Sequence, residues 1–268
     1  MINIKASIKK WIAYFLRVVG PISKKINKDD HPKKFKVLVV GIVLSDRPNF
    51  FKHIVKAFGS REHQVTQYWV SLFKSLRCNL NNVTIENIAH GVPRNKLINH
   101  ILKKVDYASF DYVIICDDDI KLPSKFLDDF LYIQDKLDFA LAQPARTRLS
   151  YISHDITKRV PELIARETRF VEIGPLFCVH KETVAHILPL DETAEMGWGL
   201  DYLWPEIIQS LNKKMGIIDA TPVDHSLRET ANSYSKKVAE NKMRDYLSDH
   251  DHITTEDANL VIKKHDAI

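Results

Sequence analysis

Asp117, Asp118 and Asp119 stand in a row at the end of an apolar run, in "DYVIICDDDIKLP". At roughly 4 Å, a pair of ionised carboxylates repels by about 1 kcal/mol in water and about 4 kcal/mol at a surface-like effective dielectric. A cation that joins the group removes that cost. Alternate side chains of an extended strand point the same way, so Asp117 and Asp119 can converge while Asp118 faces elsewhere. Converging carboxylates suit Mg²⁺ or Mn²⁺, hard ions that take one or two carboxylates together with phosphate oxygens. The competing reading is a solvated acidic turn that caps a helix starting near Ser124. Three aspartates exceed what a cap requires, and Pro123 already marks where that helix opens.

Three further clusters bear on the same chemistry. "EMGWGLDYLWP" sets Gly197 and Gly199 around Trp198 and then supplies Asp201. Glycine lets the backbone approach a ligand, an indole offers a flat apolar face, and a carboxylate can take a proton from an attacking hydroxyl. A tight turn with a core tryptophan is the alternative. "GIIDATPVDHSLRE" ends a strand candidate with Asp224 and His225, followed by Arg228. In isolation such a histidine is more often a surface residue. Beside a carboxylate pair that binds a divalent ion it becomes a third ligand, and Arg228 or Lys236 could neutralise a diphosphate. "GVPRNKLINHIL" opens a helix with Arg94, Asn95, Lys96 and Asn99. A helix N-terminus with an arginine makes an anion site; a solvated basic helix is the alternative.

These groups need a scaffold that brings distant segments together. "KFKVLVVGIVL" is a continuous β-branched run and predicts a strand buried on both faces. A helix is expected from Ser60, with Val65, Trp69, Leu72 and Leu76 along one stripe. "NNVTIENIAHG" then reads as a strand, "NKLINHILKKV" as a helix and "DYVIICDDD" as a further strand. "PSKFLDDFLYIQDKLD" is the next helix, with Ser124 as its cap. "FALAQPA", "RFVEIGPLFCVH" and "KMGIIDATPVDH" are later strands, and Pro205 is expected to open a short helix at its first position. Strands alternating with helices, and near-continuous hydrophobicity within the strands, predict an α/β domain with a mostly parallel sheet. In such sheets ligands sit beyond the carboxyl ends of the strands, where the three aspartates fall.

With 268 residues, 45% hydrophobic and 27% charged, the chain has an ordinary globular composition. No run approaches the roughly 20 apolar residues of a membrane span. Cys78, Cys116 and Cys178 are few, odd in number and far apart, as expected of free thiols in a reducing compartment. The net charge of +5 is concentrated near the start. There Ile4, Ile8, Trp11, Ile12, Phe15 and Val19 recur at helical spacing among lysines. That pattern predicts an amphipathic helix lying on an anionic membrane surface; an ordinary packed helix or a partner contact is the alternative. Three regions follow: a basic amphipathic segment over 1–34, the main domain over 35–247 and a tail, or a loosely packed terminal helix, over 248–268. Basic residues are not interleaved with aromatics along the domain, so nucleic acid is not an expected partner.

Taken together, a strand ending in D-x-D, a later G-W-G-x-D and a strand-end histidine resemble the GT-A glycosyltransferases. "RNKLIN" is similar to a stretch that precedes the D-x-D strand in their galactosyltransferase branch. The sequence is most similar to a glycosyltransferase-like family of plants and bacteria. Its pattern is met here by Gln143-Pro144-Ala145, "VEIGPLF" from Val171, "GWGLD" from Gly197 and the strand that ends at His225. The likeness spans about Lys36 to Arg228.

The resemblance implies a single GT-A domain, a nucleotide-diphosphate sugar donor with a uridine nucleotide favoured, and a glycan or lipid-linked acceptor at the cytoplasmic face of a membrane. It implies Mn²⁺ or Mg²⁺ held by Asp119 and His225, with Asp117 helping through the metal or the ribose. Asp46, Arg47, Arg94 and Asn99 would serve the donor, as would Asp118 and Arg228. Gly197 and Trp198 would floor the sugar site. Asp201 would be the general base, giving inversion, with Glu172 or Asp191 as substitutes if it only orients the acceptor. The galactosyltransferase branch reads G-W-G-x-E-D, and here a single carboxylate, Asp201, stands in that place. A haloacid-dehalogenase-like phosphatase or an inactive carbohydrate- or lipid-binding module would be the other readings.

Overall fold

The computed structural model describes residues 33–88, 92–194, 197–229 and 235–268. The amphipathic N-terminal segment lies outside the described residues. So do residues 230–234 of "SLRETANSYSKK", the segment after His225 that could order over a donor.

Nine strands form one sheet: β1 (Lys36–Leu44), β2 (Gln64–Leu72), β3 (Val83–Ile88), β4 (Tyr112–Asp117), β5 (Phe139–Arg146), β6 (Ala165–Thr168), β7 (Leu176–His180), β8 (Lys214–Val223) and β9 (Val261–His265). Their order is β3-β2-β1-β4-β7-β5-β8-β6-β9. The pairings give seven strands one direction, while β7 and β6 run against them. The expectation of a mostly parallel sheet holds in that sense.

The central strands are buried on both faces because helices cover both. Along β1, Val37, Val39 and Val43 pack on one side with α1 (Phe51–Ala57) and α3 (Phe126–Lys136). Leu38, Val40 and Ile42 pack on the other with α2 (Arg94–Leu102), α4 (Lys181–Ile187) and α5 (Leu200–Ser210). The period-2 alternation of a strand explains how one apolar run serves two cores. Gly41 is where that crowding is greatest. A Cβ there would lie 2.2 Å from Trp69 Cζ3 and 2.5 Å from the Cys116 carbonyl, so only glycine lets the Trp69 indole on β2 cross β1.

Several elements differ from the sequence reading. The segment after Ser60 is strand β2, and the helix of this region is α1, nine residues earlier. Ser60 Oγ does accept the Glu62 and His63 amides, but no helix follows it. Helix α3 opens without a side-chain cap behind Lys125, which takes φ 56°, so Ser124 is not its cap. Pro205 lies inside α5 rather than at its start. Only Leu176–His180 of "RFVEIGPLFCVH" is strand, and it is antiparallel; β6 comes from the preceding Ala165–Thr168. The terminal stretch is not a loose tail. After α6 (Lys236–Ser248) it forms α7 (Thr255–Ala258), closed by a Thr254–Asp257 capping box, and then β9, which pairs with β6 at the sheet edge. All three cysteines are free, and Cys116 and Cys178 are buried.

Candidate active site

The acidic row leaves β4 at its carboxyl end, level with Ile42 near the end of β1. The chain then turns back, and Lys121 pairs antiparallel with Asp224, with N···O distances of 2.8 and 3.1 Å. That bridge fastens the acidic turn to the end of β8. As a result His225 Nε2 lies 3.4 Å from Asp119 Oδ2, although the two residues are far apart in the sequence.

The three aspartates have different surroundings. Asp117 faces the side of Arg94, whose Nε and Nη2 lie 3.2 and 3.1 Å from its Oδ1. Asp118 is buried, accepts the Leu44 amide at 2.7 Å and pairs with Arg228. Burial outweighs those bonds and pushes its carboxyl up to about 6. Asp119 is buried too, but the His225 hydrogen bond and the nearby Arg228 charge outweigh burial and hold it below the usual carboxylate range. Its Oδ1 is buried with no hydrogen-bond partner. An orphaned anionic oxygen beside an imidazole is a donor set that fits a divalent cation. Asp117 does not close in on that pair. Among the described residues, three ligand atoms come within 4.8 Å of one another only at Glu62, His63 and Asp128, so Asp117 stands off as a direct third ligand.

Sequence reasoning missed the residue that organises the site. Arg146, at the end of β5, is 2% exposed. Its Nη1 donates to His225 Nδ1 at 3.0 Å and to the Tyr151 carbonyl at 3.2 Å, and its Nη2 donates to Glu172 Oε2 and the Gly174 carbonyl. An imidazole whose Nδ1 accepts from a guanidinium carries its proton on Nε2, toward Asp119. For Nε2 to hold an ion, the neutral ring would have to carry its proton on Nδ1 instead, and Arg146 would have to release that nitrogen. The Gln143 side chain on the same strand accepts the Glu172 amide, so the "QPA" and "VE" segments meet. The signal was in the sequence: an arginine ends one apolar run and a glutamate sits in another, and buried charges need each other.

Glu172 in turn acts on Asp201, in the first turn of α5. Asp201 is 5% exposed, and its Oδ1 has no hydrogen-bond partner. Burial, reinforced by the Glu172 charge, pushes its carboxyl up to about 7. The turn before it is held open by glycine: Gly197 and Gly199 have φ of 86° and 101°, which a side chain resists. Asn95 fixes that turn, donating to the Asp191 and Ala194 carbonyls at 2.8 Å each. Trp198 is half-buried between the two glycines. The substitutes for Asp201 are otherwise engaged. Glu172 is tied to Arg146, while Asp191 accepts from Thr193 and from the Tyr246 hydroxyl at 3.0 Å.

Other expected donor-side residues fall differently. Asp46 and Arg47 pair with each other at 2.9 Å in the loop after β1, and that loop touches the cluster through the Pro48 carbonyl, 3.0 Å from Arg228 Nη1. Arg94 turns inward to Asp117 and the Ile173 carbonyl instead of leaving its helix end open to an anion. Asn99 is engaged within the fold. Its buried amide is consumed by Leu190, at 2.7 and 2.9 Å, and by Glu192, which makes it a brace for that segment.

The nine-stranded, mostly parallel sheet with helices on both faces matches the GT-A fold of solved glycosyltransferases. The chain is similar in structure to GalNAc-T7, solved with UDP, GalNAc and Mn²⁺ (TM-score 0.58, 9% identity, 80% of this chain and 48% of that one). It is likewise similar to the mannosyltransferase PcManGT from Pyrobaculum calidifontis, solved with GDP-Man and Mn²⁺ (0.53, 13%, 95% and 76%). A third likeness is to S. aureus TarS 1-349, solved with UDP-GlcNAc (0.52, 12%, 80% and 66%). The chain spans about half the length of the GalNAc-T7 structure. No family model matches the sequence, and no curated protein matches it.

Proposed function

We propose that the chain is a metal-dependent glycosyltransferase, of the plant and bacterial glycosyltransferase-like kind its motifs resemble. It would move a sugar from a nucleotide-diphosphate donor, a uridine nucleotide by preference, to a glycan or lipid-linked acceptor in surface polysaccharide synthesis. The observation that carries this is the meeting of Asp119 and His225 at the strand ends, linked through Arg146 and Glu172 to a second carboxyl, Asp201, that burial keeps protonatable near neutral pH. Structures of the same fold, one solved with UDP, GalNAc and Mn²⁺ and one with GDP-Man and Mn²⁺, support it.

Asp119, through its unpaired Oδ1, and His225, through Nε2, would hold the ion, with Asp117 at its margin. When bound, a divalent ion offsets the charge that accumulates on the leaving diphosphate. Asp118 would anchor Arg228, and Arg228 would share the diphosphate charge. Asp46 and Arg47 would border the nucleotide, and Gly197 with Trp198 would floor the sugar site. Asp201 would take the proton of the attacking acceptor hydroxyl, and displacement from the face opposite the leaving group inverts the anomeric carbon. The phosphatase reading gains nothing here, since the acidic turn follows β4 on a glycosyltransferase scaffold.

A panel of nucleotide sugars, titrated into the protein with and without Mn²⁺ by calorimetry, tests this reading. Binding of at least one donor, lost on chelation, is expected. A panel in which nothing binds under either condition sinks the proposal.

We also place the protein at the cytoplasmic face of a membrane, held by its basic N-terminal segment. No described helix is long and apolar enough to cross a bilayer. Deleting Met1 to Asn27 should release the protein from vesicles rich in phosphatidylserine while its melting transition persists. Undiminished co-sedimentation of the truncated chain would remove the anchor.

A further inference from the structure

The acidic turn already contains a cation of its own. Arg228 donates from Nη2 to Asp118 Oδ1, from Nε to Asp119 Oδ2 at 3.1 Å, and from Nη1 to the Pro48 carbonyl at 3.0 Å. Its side chain is 15% exposed. Asp119 Oδ2 is also the oxygen that lies 3.4 Å from His225 Nε2. An ion held by that imidazole and by the unpaired Asp119 Oδ1 therefore shares one carboxylate with the guanidinium, which already occupies its Oδ2. The charge count sharpens the conflict. With the three aspartates ionised, their three negative charges less those of Arg94 and Arg228 leave one negative charge. A divalent ion turns this into one positive charge and sets two cations side by side. A diphosphate brings the anionic oxygens that allow both to stay.

We propose that Arg228 is the resident counter-ion of the acidic turn and competes with the divalent ion for Asp119, so that metal and nucleoside diphosphate bind as a unit. The guanidinium gives up Asp119 when the ion arrives and turns to the phosphates, while Asp118 retains it. This makes the site selective for the metal–nucleotide complex over the free ion. The inference rests on the metal-dependent reading above, but it fails separately from it.

The test is Mn²⁺ affinity at pH 8, followed by electron paramagnetic resonance of the free ion on the full chain. Native protein and Arg228→Gln are compared, each alone and with saturating UDP or GDP. The native chain is expected to bind Mn²⁺ weakly alone and at least about tenfold more tightly with the nucleotide. Arg228→Gln is expected to bind Mn²⁺ alone at least about tenfold more tightly than the native chain, with the coupling to nucleotide reduced to about threefold or less. Unchanged or weaker Mn²⁺ binding by the variant overturns the competition and leaves the metal-dependent reading intact. Absence of Mn²⁺ binding in both proteins, with and without nucleotide, overturns both. If Arg228→Gln does not fold, Asp118→Asn with Arg228→Gln removes the buried charge left unpaired, and the same comparison decides.

Discussion

Asp201→Asn will slow sugar transfer by about three orders of magnitude while donor affinity in the presence of Mn²⁺ stays within about twofold of native. The amide keeps the shape of the carboxyl but cannot take the hydroxyl proton. The residues proposed to hold the ion and the diphosphate, Asp119, His225 and Arg228, do not include this side chain. The native rate should rise with pH through a midpoint near 7 and level off above it, because burial and the Glu172 charge push the Asp201 carboxyl up to about 7 and a base must be ionised. Asparagine removes that limb of the profile.

Stability should move the other way. A carboxyl raised from 3.8 to about 7 in the fold contributes stability below pH 4, and that contribution is lost as pH rises through 7. At pH 8 the native chain therefore carries a buried, ionised Asp201 that the variant lacks. Asp201→Asn should be more stable there by up to about 4 kcal/mol, with the difference vanishing near pH 4. Urea denaturation at both pH values, with a donor-saturated rate assay, checks the pair. A near-native rate would assign the proton transfer to another group, and equal stability at pH 8 would mean that the carboxyl is not raised.

Asp119→Ala should abolish metal-dependent donor binding. It deletes the orphaned Oδ1 and the oxygen shared by His225 and Arg228 in one step. Without it the imidazole alone is a poor site for a hard ion. The affinity gain that Mn²⁺ confers on UDP or GDP, measured by calorimetry, is expected to fall by at least about a hundredfold, or about 2.7 kcal/mol. Asp119→Asn keeps the side-chain volume, so the same loss in a variant with native-like melting separates ligation from folding. An undiminished Mn²⁺ effect in both variants would take Asp119 out of the ligand set.

The residues behind these predictions were legible to different degrees. The aspartates, His225 and the G-W-G turn stood out because each is chemically costly where the strands and glycines put it. Arg146 was hidden, since a single charge at a strand end says nothing until its partners are located. Asn99 was hard to read for the opposite reason. Its helix start looked like an anion site, but the amide was needed to brace the Leu190 segment. Strand β2 was mistaken for a helix because Val65 and Trp69 are four apart, a spacing that fits both the helical period and the strand period. Thr66, Tyr68 and Val70 between them carried the β preference, and the buried Gln67, bonded to the Val55 carbonyl and Trp69, disguised the alternation. The C-terminal strand was invisible because Ile262, Lys263 and Lys264 on an exposed edge have no face to conceal.

The Lys121–Asp224 bridge carries a consequence for how the protein comes into being. The acids arrive with the fourth strand and the imidazole with the eighth, and strands from late in the chain must be threaded beside earlier ones before the two can touch. Contacts of such long sequence separation form slowly. A ribosome-bound chain that stops short of residue 214 holds every aspartate of the turn but not His225 to face them, so the two halves of the site meet only late in synthesis.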